Sequence, residues 1–421
     1  MKKLIIHNIK TLYTNNNQPP VKGKLMSDII SIDKAFIVIE NGIINNFGSG
    51  DYQKFIDKDT ELFDALGTIA IPGLVDSHTH LVFGGSREHE FAKKIAGIDY
   101  LDILKSGGGI LSTVEETKKA SFKELFNQAF KSLNEMLLFG VTTLEAKSGY
   151  GLELDTELKI LRVVKSLNEN HPIDIHATYL GAHALPKNYK DNREEFVNKV
   201  ILDLETIKNE NLAEYADVFC ETGVFDVHET MRILSEAKEL GFKIRVHVDE
   251  IHSIGGTKLA LDLRAKTIDH LIAITDEDIQ LVAKTDTIAN LLPSTSFFLN
   301  KDFAPARKLI DAGAAVSVSS DYNPGSTPSE NFQLTLQISG NKLKMLPSEI
   351  LTAATINPAY SLDMHQKVGS IEVGKDADIL LLNCKNLDYF IYHYGINHTF
   401  TVFKKGIMVV NNRNLVKENL K

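Results

Sequence analysis

The sequence predicts an α/β protein, with a (β/α)8 barrel of the TIM type and a second, smaller β-sandwich domain built from both chain ends. Two observations along the middle of the 421-residue chain predict the barrel: short β-branched runs alternate with longer segments of helical periodicity, and there are eight such runs. Alternation of this kind indicates a parallel sheet, and eight strands indicate that the sheet closes. The third observation is that both chain ends are rich in β-forming residues.

The predicted barrel strands occupy residues 69–76, 141–146, 173–180, 217–221, 244–248, 267–270, 287–292 and 315–320. Helical periodicity between them is clearest over residues 122–139, where apolar side chains recur every three or four positions. An open, doubly wound sheet is the main alternative. It would usually need fewer strands and a glycine-rich phosphate turn, which the sequence does not contain.

The smaller domain is predicted from β-rich segments at the two ends of the chain. Residues 35–47 form two such runs joined by Asn41-Gly42, a pair suited to the positive φ angles of a type I′ hairpin turn. Similar runs return at residues 377–382 and 402–410. Neither end has enough strands to bury a sheet face alone, so residues 1–68 and 368–421 are expected to form one composite sandwich around a barrel at 69–367.

Composition and charge exclude several classes of protein. Hydrophobic residues make up 43% and charged residues 24%, as in ordinary globular proteins. A net charge of −9 gives no basic surface, so nucleic acid is not an expected partner. Cys220 and Cys384 form no disulfide or zinc motif, which favours a reducing, cytoplasmic setting. No segment is apolar enough for a membrane span, and the N-terminal apolar run is too short for a signal peptide.

Polar residues follow the predicted strands at their C-terminal ends, where barrel enzymes build their active sites. His78 and His80 come after strand 1, and residues two apart in an extended segment point the same way. His247 ends strand 5, His270 ends strand 6, and Asp321 follows strand 8. Imidazoles and a carboxylate from separate strands suit a divalent ion such as Zn²⁺, with a position left for water.

This order of ligands resembles the amidohydrolase superfamily over nearly the whole chain. The segments 72–76 and 374–378 are similar to sequence motifs of superfamily members that have a composite sandwich. The resemblance implies four metal ligands, His78, His80, His247 and Asp321. It also implies one divalent or trivalent metal ion per subunit, zinc or iron, and a homodimer.

Within the superfamily, five segments resemble the imidazolonepropionases. They lie in the expected order at residues 83–88, 107–110, 147–152, 181–183 and 321–325. The resemblance implies a small-molecule substrate, 4-imidazolone-5-propanoate, whose lactam ring is opened by water to N-formimidoyl-L-glutamate in histidine degradation.

The resemblance also implies roles for individual residues. Glu250, three residues beyond His247, is expected to be the general acid/base that moves the proton from water to the leaving ring nitrogen. His270 is expected to hydrogen-bond the attacking water or stabilise the oxyanion, and Asp321 to share in proton handling. Arg87 offers a bidentate partner for the propionate carboxylate. The other expected substrate contacts are Tyr150, His183, Glu250, Asn323, Gly325 and Ser326.

Many relatives bridge two metals with a carboxylated lysine after strand 4, where this sequence has Cys220-Glu221. A mononuclear site is therefore expected, and Lys147, after strand 2, is interpreted as a structural or substrate-side residue. Two alternatives remain open. One is an aminohydrolase (deaminase) of a nucleobase-like ring, which would need Arg87 less. The other is a non-catalytic scaffold with the same fold, which the complete ligand set disfavours.

Overall fold

The structure, a computed structural model, describes residues 3–97 and 108–420. Gly107, the first residue of one predicted pocket segment, lies outside the described residues. The strands are β1 (Lys3–Thr14), β2 (Ile30–Glu40), β3 (Ile43–Ser49), β4 (Thr60–Asp64), β5 (Ile69–Pro72), β6 (Leu74–Asp76), β7 (Val141–Lys147), β8 (Asp174–Ala182), β9 (Tyr215–Cys220), β10 (Lys243–Val248), β11 (Thr267–His270), β12 (Ile288–Leu291), β13 (Val316–Val318), β14 (Ile379–Leu382), β15 (Thr399–Lys404), β16 (Ile407–Asn411) and β17 (Asn414–Leu415).

The α-helices of the described part are α1 (Glu88–Ile95), α2 (Ile110–Lys119), α3 (Phe122–Leu138), α4 (Leu154–Asn170), α5 (Arg193–Asn209), α6 (Val227–Glu239), α7 (Gly256–Asp262), α8 (Asp276–Val282), α9 (Pro293–Leu299), α10 (Ala306–Ala312), α11 (Phe332–Lys342), α12 (Pro347–Ala353), α13 (Ile356–Ser361) and α14 (Leu387–Tyr392). Short 3-10 helices lie at Gly23–Ser27, Gln53–Phe55, Lys187–Tyr189 and Lys417–Asn419. Within the described ranges, no helix is long and apolar enough to cross a membrane.

The predicted barrel is confirmed. Strands β6 to β13 form an eight-stranded sheet in sequence order, and each neighbouring pair is parallel. The strand expected at residues 69–76 is split at Gly73. Its first half pairs with the terminal sheet, and its second half begins the barrel. The reason is a change of hydrogen-bond partner, because Gly73 N donates to Asp378 O (2.9 Å) whereas Leu74 N donates to Gly140 O (3.0 Å).

The barrel closes at its C-terminal rim. The segments that follow β6 and β13 meet through two backbone hydrogen bonds, His80 N to Tyr322 O (2.9 Å) and Asp321 N to His78 O (3.0 Å). We call this pair of bonds the closing seam. Three candidate metal ligands, His78, His80 and Asp321, therefore belong to the backbone that joins the first and last strands.

The two chain ends form one mixed sheet of nine strands, in the order β17-β16-β15-β14-β5-β1-β2-β3, with β4 also paired to β1. The predicted turn joins β2 to β3, and Asn41 and Gly42 have φ angles of 52° and 83°. Strand β5 pairs antiparallel with β14, which joins the two ends of the chain. The sheet thus takes in β5, which lies beyond residue 68. The division into domains at residues 68 and 368 stays a prediction.

The helices pack around the barrel as their periodicity predicts. Helix α3 begins after Ser121, whose side chain accepts from Glu124 N while the Glu124 carboxylate accepts from Ser121 N, a capping box. Its buried face includes Leu125, Leu133 and Leu137. These side chains belong to a core shared with the barrel strands, and a separate core fills the terminal sheet. The barrel is therefore a rigid frame for the side chains at its rim.

Candidate metal and catalytic site

The polar side chains singled out in the sequence converge at the carboxyl ends of the barrel strands. His78 and His80 follow β6 beside the closing seam, and their Nε2 atoms lie 3.6 and 3.5 Å from Asp321 Oδ1. His247, in β10, has its ring centroid 4.7 Å from that of His78. These are the four predicted metal ligands, and all four side chains are buried.

The donor atoms fit a metal ion. His78, His80 and Asp321 offer ligand atoms that lie within 4.8 Å of one another, and so do His78, His247 and His270. The Nε2 atoms of His78 and His247 are buried and have no hydrogen-bond partner among the described residues, which is costly unless something else binds them. Neutral imidazoles with one carboxylate are the donor set of zinc and of other borderline divalent ions.

A second layer of carboxylates lies behind the histidines. His78 Nδ1 is 3.0 Å from Asp269 Oδ2, and His247 Nδ1 is 3.0 Å from Asp217 Oδ2. Asp217 Oδ1 also accepts a hydrogen bond from His247 N (3.2 Å). A carboxylate on one ring nitrogen fixes the tautomer and the orientation of a metal-binding histidine, and it leaves the other nitrogen for the ion.

Lys147 ends β7 and extends into this second layer. Its ammonium lies 2.8 Å from Asp217 Oδ2, 2.9 Å from Glu145 Oε1 and 3.7 Å from Asp269 Oδ2. The side chain is fully buried. Of the two roles considered for Lys147, these contacts indicate the structural one, because all its described partners are protein carboxylates.

We call the layer of candidate metal ligands and Glu250 the upper layer, and the second layer of supporting carboxylates the lower layer. The two layers differ in the pKa values of their carboxylates. Burial alone would raise the pKa of Asp217, but the charges of His247 and Lys147 outweigh it and hold that pKa well below its usual range. Asp269 behaves in the same way, with Lys147 and Arg245 as the leading opposing charges. In the upper layer, burial raises the pKa of Asp321 to about 6, although Thr295 Oγ1 donates to its Oδ2.

Glu250 lies on the turn after β10, and its Oε2 is 3.6 Å from His270 Nε2. Burial, reinforced by the charge of Asp321, raises its pKa to about 7. The turn is fixed by Glu221, whose Oε2 accepts from Ile251 N (2.9 Å) and His252 N (3.1 Å). Glu221 thus binds backbone, and neither it nor Cys220 belongs to the metal-binding groups found among the described residues.

Arg87 lines a cavity of about 440 Å³ beside the seam, together with Phe83, Tyr322 and Gly325. Its Nε donates to Glu90 Oε2 (3.0 Å), and its two terminal nitrogens form no hydrogen bond with the residues that the structure describes. Gly325 packs against that guanidinium so closely that a Cβ would overlap it. The absence of a side chain at position 325 is therefore required by the position of Arg87.

Tyr150 and His183 form an aromatic wall against His80. The His183 ring stacks on His80 with centroids 4.9 Å apart, and Tyr150 lies 5.4 Å from His183. Burial, with the charge of His247 acting in the same direction, lowers the pKa of His183 to about 3, so this ring is neutral. Its Nδ1 lies 3.0 Å from Gly149 O. Gly149 has a φ of 110°, and a Cβ there would meet His183 Nδ1 at 2.9 Å.

The segment after Asp321 forms a self-contained turn. Asn323 Oδ1 accepts from the backbone N–H groups of Gly325 and Ser326 (both 2.8 Å), and its Nδ2 donates to Asp321 O (2.6 Å) and to Ser326 Oγ (2.7 Å). Ser326 Oγ is 3.4 Å from Asp321 Oδ2. Asn323, expected to contact the substrate, thus uses its side-chain atoms to shape the loop that contains Asp321.

Sequence reasoning missed the supporting residues of the site. Asp217, Asp269, Thr295 and Glu90 each bind a predicted site residue, and Glu221 binds the backbone of the two residues after Glu250. One signal was present, because Asp217 is the lone charge in an otherwise apolar strand. The others are polar residues next to turns or helix starts, where the sequence alone gives no reason to select them.

Comparisons with known proteins agree with this geometry. The Amidohydrolase family profile matches residues 69–411. The chain is 50% identical to the imidazolonepropionase of Fusobacterium nucleatum over 408 residues, 96% of this chain and 98% of that protein. It is 48% identical to the imidazolonepropionase of Treponema denticola over 396 residues, 93% and 96% respectively. An adenosine deaminase structure from Xanthomonas campestris with bound zinc shares the fold, with 16% identity and a TM-score of 0.72 over 99% of this chain and 94% of that chain.

Proposed function

Because this chain belongs to the amidohydrolase family and, within it, to the imidazolonepropionases, we propose that it opens the lactam ring of 4-imidazolone-5-propanoate by hydrolysis. The product is N-formimidoyl-L-glutamate, an intermediate of histidine degradation. The observation that most directly supports this substrate is the guanidinium of Arg87 in a cavity that is also lined by Tyr322, the residue after Asp321. A ring with a propionate arm needs such a cation, whereas a neutral nucleobase does not.

The metal site of the proposal consists of His78, His80, His247 and Asp321. The family and the unpaired imidazole nitrogens imply a bound metal ion. We propose one zinc or iron ion per subunit. When bound, such an ion supplies a Lewis acid and lowers the pKa of water, so that hydroxide is available at neutral pH.

The side chains around it would bind the substrate and move its protons. Arg87 holds the propionate carboxylate, and Tyr150 and His183 form the wall against the ring. Water adds to the ring carbonyl carbon, and Glu250 takes the proton that the water gives up. The carbon–nitrogen bond then breaks, and Glu250 returns that proton to the leaving ring nitrogen. His270 donates a hydrogen bond to the developing oxyanion.

A carboxylate with a pKa near 7 is suited to accept and return a proton at neutral pH, which favours Glu250 for this role. Asp321 would hold the metal and share in proton transfer. Gly325 and Ser326 would line the pocket beside it, and Asn323 would act there through the loop that it shapes.

The test is the absorbance decay of freshly prepared 4-imidazolone-5-propanoate with metal-analysed protein, corrected for spontaneous decay. We expect rapid loss with N-formimidoyl-L-glutamate appearing, none after chelation, and strong impairment in Arg87→Ala and His247→Ala. Metal-loaded protein without this activity would reject the substrate. Release of ammonia from a nucleobase, insensitive to Arg87→Ala, would favour a deaminase instead, and wild-type protein that binds no metal would favour the scaffold alternative.

We also propose the substrate class, the cellular location and the oligomeric state of the protein. The protein acts on a small molecule rather than on nucleic acid or a membrane, as its net charge of −9 suggests. It works in the cytoplasm, and it is a homodimer. The resemblance supports the dimer, and light scattering of the purified protein tests it.

A further inference from the structure

The second layer beneath the histidines contains a buried ammonium that the proposed reaction does not use. Lys147 reaches across the barrel from β7 to Asp217 on β9 and Asp269 on β11. The same Asp217 oxygen that lies 2.8 Å from the ammonium lies 3.0 Å from His247 Nδ1. Asp269 Oδ2 likewise lies near both the ammonium and His78 Nδ1. One cation thus contacts both carboxylates that orient metal-binding histidines.

No other described lysine or arginine forms an ion pair with these two carboxylates. Arg245, the nearest buried guanidinium, lies 3.7 Å from Glu145 Oε1 and donates from Nη2 to Ser77 O (2.7 Å). Without Lys147, Asp217 and Asp269 would be like charges in a buried space, with the more distant Arg245 as the main remaining cation near Asp269. Such carboxylates would repel each other and move apart.

We propose that Lys147 is a positioning residue of the metal site, which braces Asp217 and Asp269 so that the Nε2 atoms of His247 and His78 face the ion. This inference rests on the proposed function only in its assignment of these histidines as ligands. It predicts that Lys147 sets metal affinity without touching metal or substrate. Partners of this kind typically change metal affinity by about 10- to 100-fold.

The chain contains a matched control. Lys404 is also buried between two carboxylates, with its Nζ 2.8 Å from Asp174 Oδ2 and 2.5 Å from Asp378 Oδ2. This pair lies in the terminal sheet and its junction with the barrel, away from the histidines. Lys147→Met and Lys404→Met remove the same charge from the same kind of environment, so both should lower Tm. Only the first should change metal binding.

The experiment titrates apo protein with Zn²⁺ against a chromogenic chelator, well below the Tm of each variant, with the folded fraction checked by circular dichroism. We expect the Kd for Zn²⁺ to rise about 10- to 100-fold in Lys147→Met and to stay within about twofold of wild type in Lys404→Met. If Lys147→Met does not fold, Lys147→Gln takes its place, since its amide can still donate to one carboxylate. Its Co²⁺-loaded form should show an altered visible spectrum.

The possible failures are distinguishable. Folded Lys147 variants with the wild-type Kd and Co²⁺ spectrum would overturn the inference. Equal weakening of Zn²⁺ binding in Lys404→Met would overturn it too, because the effect would then be one of general stability. Wild-type protein that binds no Zn²⁺ or Co²⁺ would overturn the assignment of the metal ligands, and that outcome precedes any measurement on a variant.

Discussion

The two layers of the barrel's polar interior are buried, apart from about a fifth of the Glu250 side chain, yet they hold their carboxylates in opposite states. In the upper layer, Glu250 and Asp321 form no ion pair with any described lysine or arginine, and burial raises their pKa values to about 7 and about 6. In the lower layer, Asp217 and Asp269 share the Lys147 ammonium, and their pKa values are held below the usual range. Burial alone therefore does not decide the state of a carboxylate; the distance to a fixed cation does.

Because of this difference, the carboxylates of the upper layer are suited to catalysis and those of the lower layer to positioning other residues. A carboxylate that changes protonation near neutral pH can move protons, and one that stays ionised can only orient its neighbours. The predictions that follow test this division, and each compares a residue of the site with a counterpart elsewhere or in the other layer.

The largest effect is expected from Glu250→Gln. Loss of a general acid/base should lower kcat by about 10²- to 10⁴-fold, with Zn²⁺ content and Tm unchanged. The matched change in the lower layer, Asp217→Asn, breaks the buried Lys147–Asp217 ion pair and should lower the free energy of unfolding by about 3–5 kcal/mol. Steady-state kinetics, metal analysis and denaturant unfolding measure both. If Glu250→Gln lost metal or stability instead, the two layers would not differ in role.

A smaller effect is expected from Arg87→Ala. Hydrogen bonds to charged groups contribute about 1.5–3 kcal/mol, so kcat/KM should fall about 10- to 100-fold, mainly through KM. Arg87→Lys should recover part of the loss, because it restores the charge but not the bidentate geometry. Arg162, paired with Glu210 on the surface, is the control, and Arg162→Ala should leave kcat/KM unchanged. An unchanged KM in Arg87→Ala would place the propionate elsewhere.

On the acid side of the pH profile, kcat/KM should fall about tenfold for each pH unit. Glu250 must be deprotonated to accept a proton, and its pKa of about 7 means that the base form is lost as the pH falls below 7. The profile of kcat/KM should therefore fall with decreasing pH from about 7, and Glu250→Gln should lack this limb. The lower layer should not titrate in this range. An acid limb that begins only below pH 5 would contradict the upper-layer assignment.

The smallest effect is expected at the wall formed by Tyr150 and His183. Gly149→Ala puts a Cβ against His183 at a φ of 110° and should cost about 1–3 kcal/mol of stability and raise KM. Gly223 has a φ of 80° with nothing within 4 Å of a Cβ, so Gly223→Ala isolates the backbone strain. Thermal unfolding and KM of both variants give the comparison. Equal effects on both would mean that the contact with His183 is unimportant.

The sequence predicts the barrel well because alternation and strand count are properties of local pattern. The same holds for His78 and His80, whose spacing of two is visible in any extended segment. The lower layer differs, since Lys147, Asp217 and Asp269 come from strands far apart in the chain and meet only through the register of the barrel. The loop contacts of Asn323 were not predicted for a related reason, because an amide that shapes a turn and one that binds a ligand look alike in sequence.

The closing seam links the reaction centre to the folding of the barrel. Backbone groups of His78, His80 and Asp321 form or flank the bonds that join the first and last strands. An ion held by their side chains is a removable cross-link across almost the whole barrel sequence, and contacts that close long loops remove the most conformational entropy from the unfolded chain. At a free concentration a hundred times its Kd, such an ion adds about 2.7 kcal/mol of stability. Release of the ion and separation of the first barrel strand, β6, from the last, β13, should therefore be thermodynamically coupled.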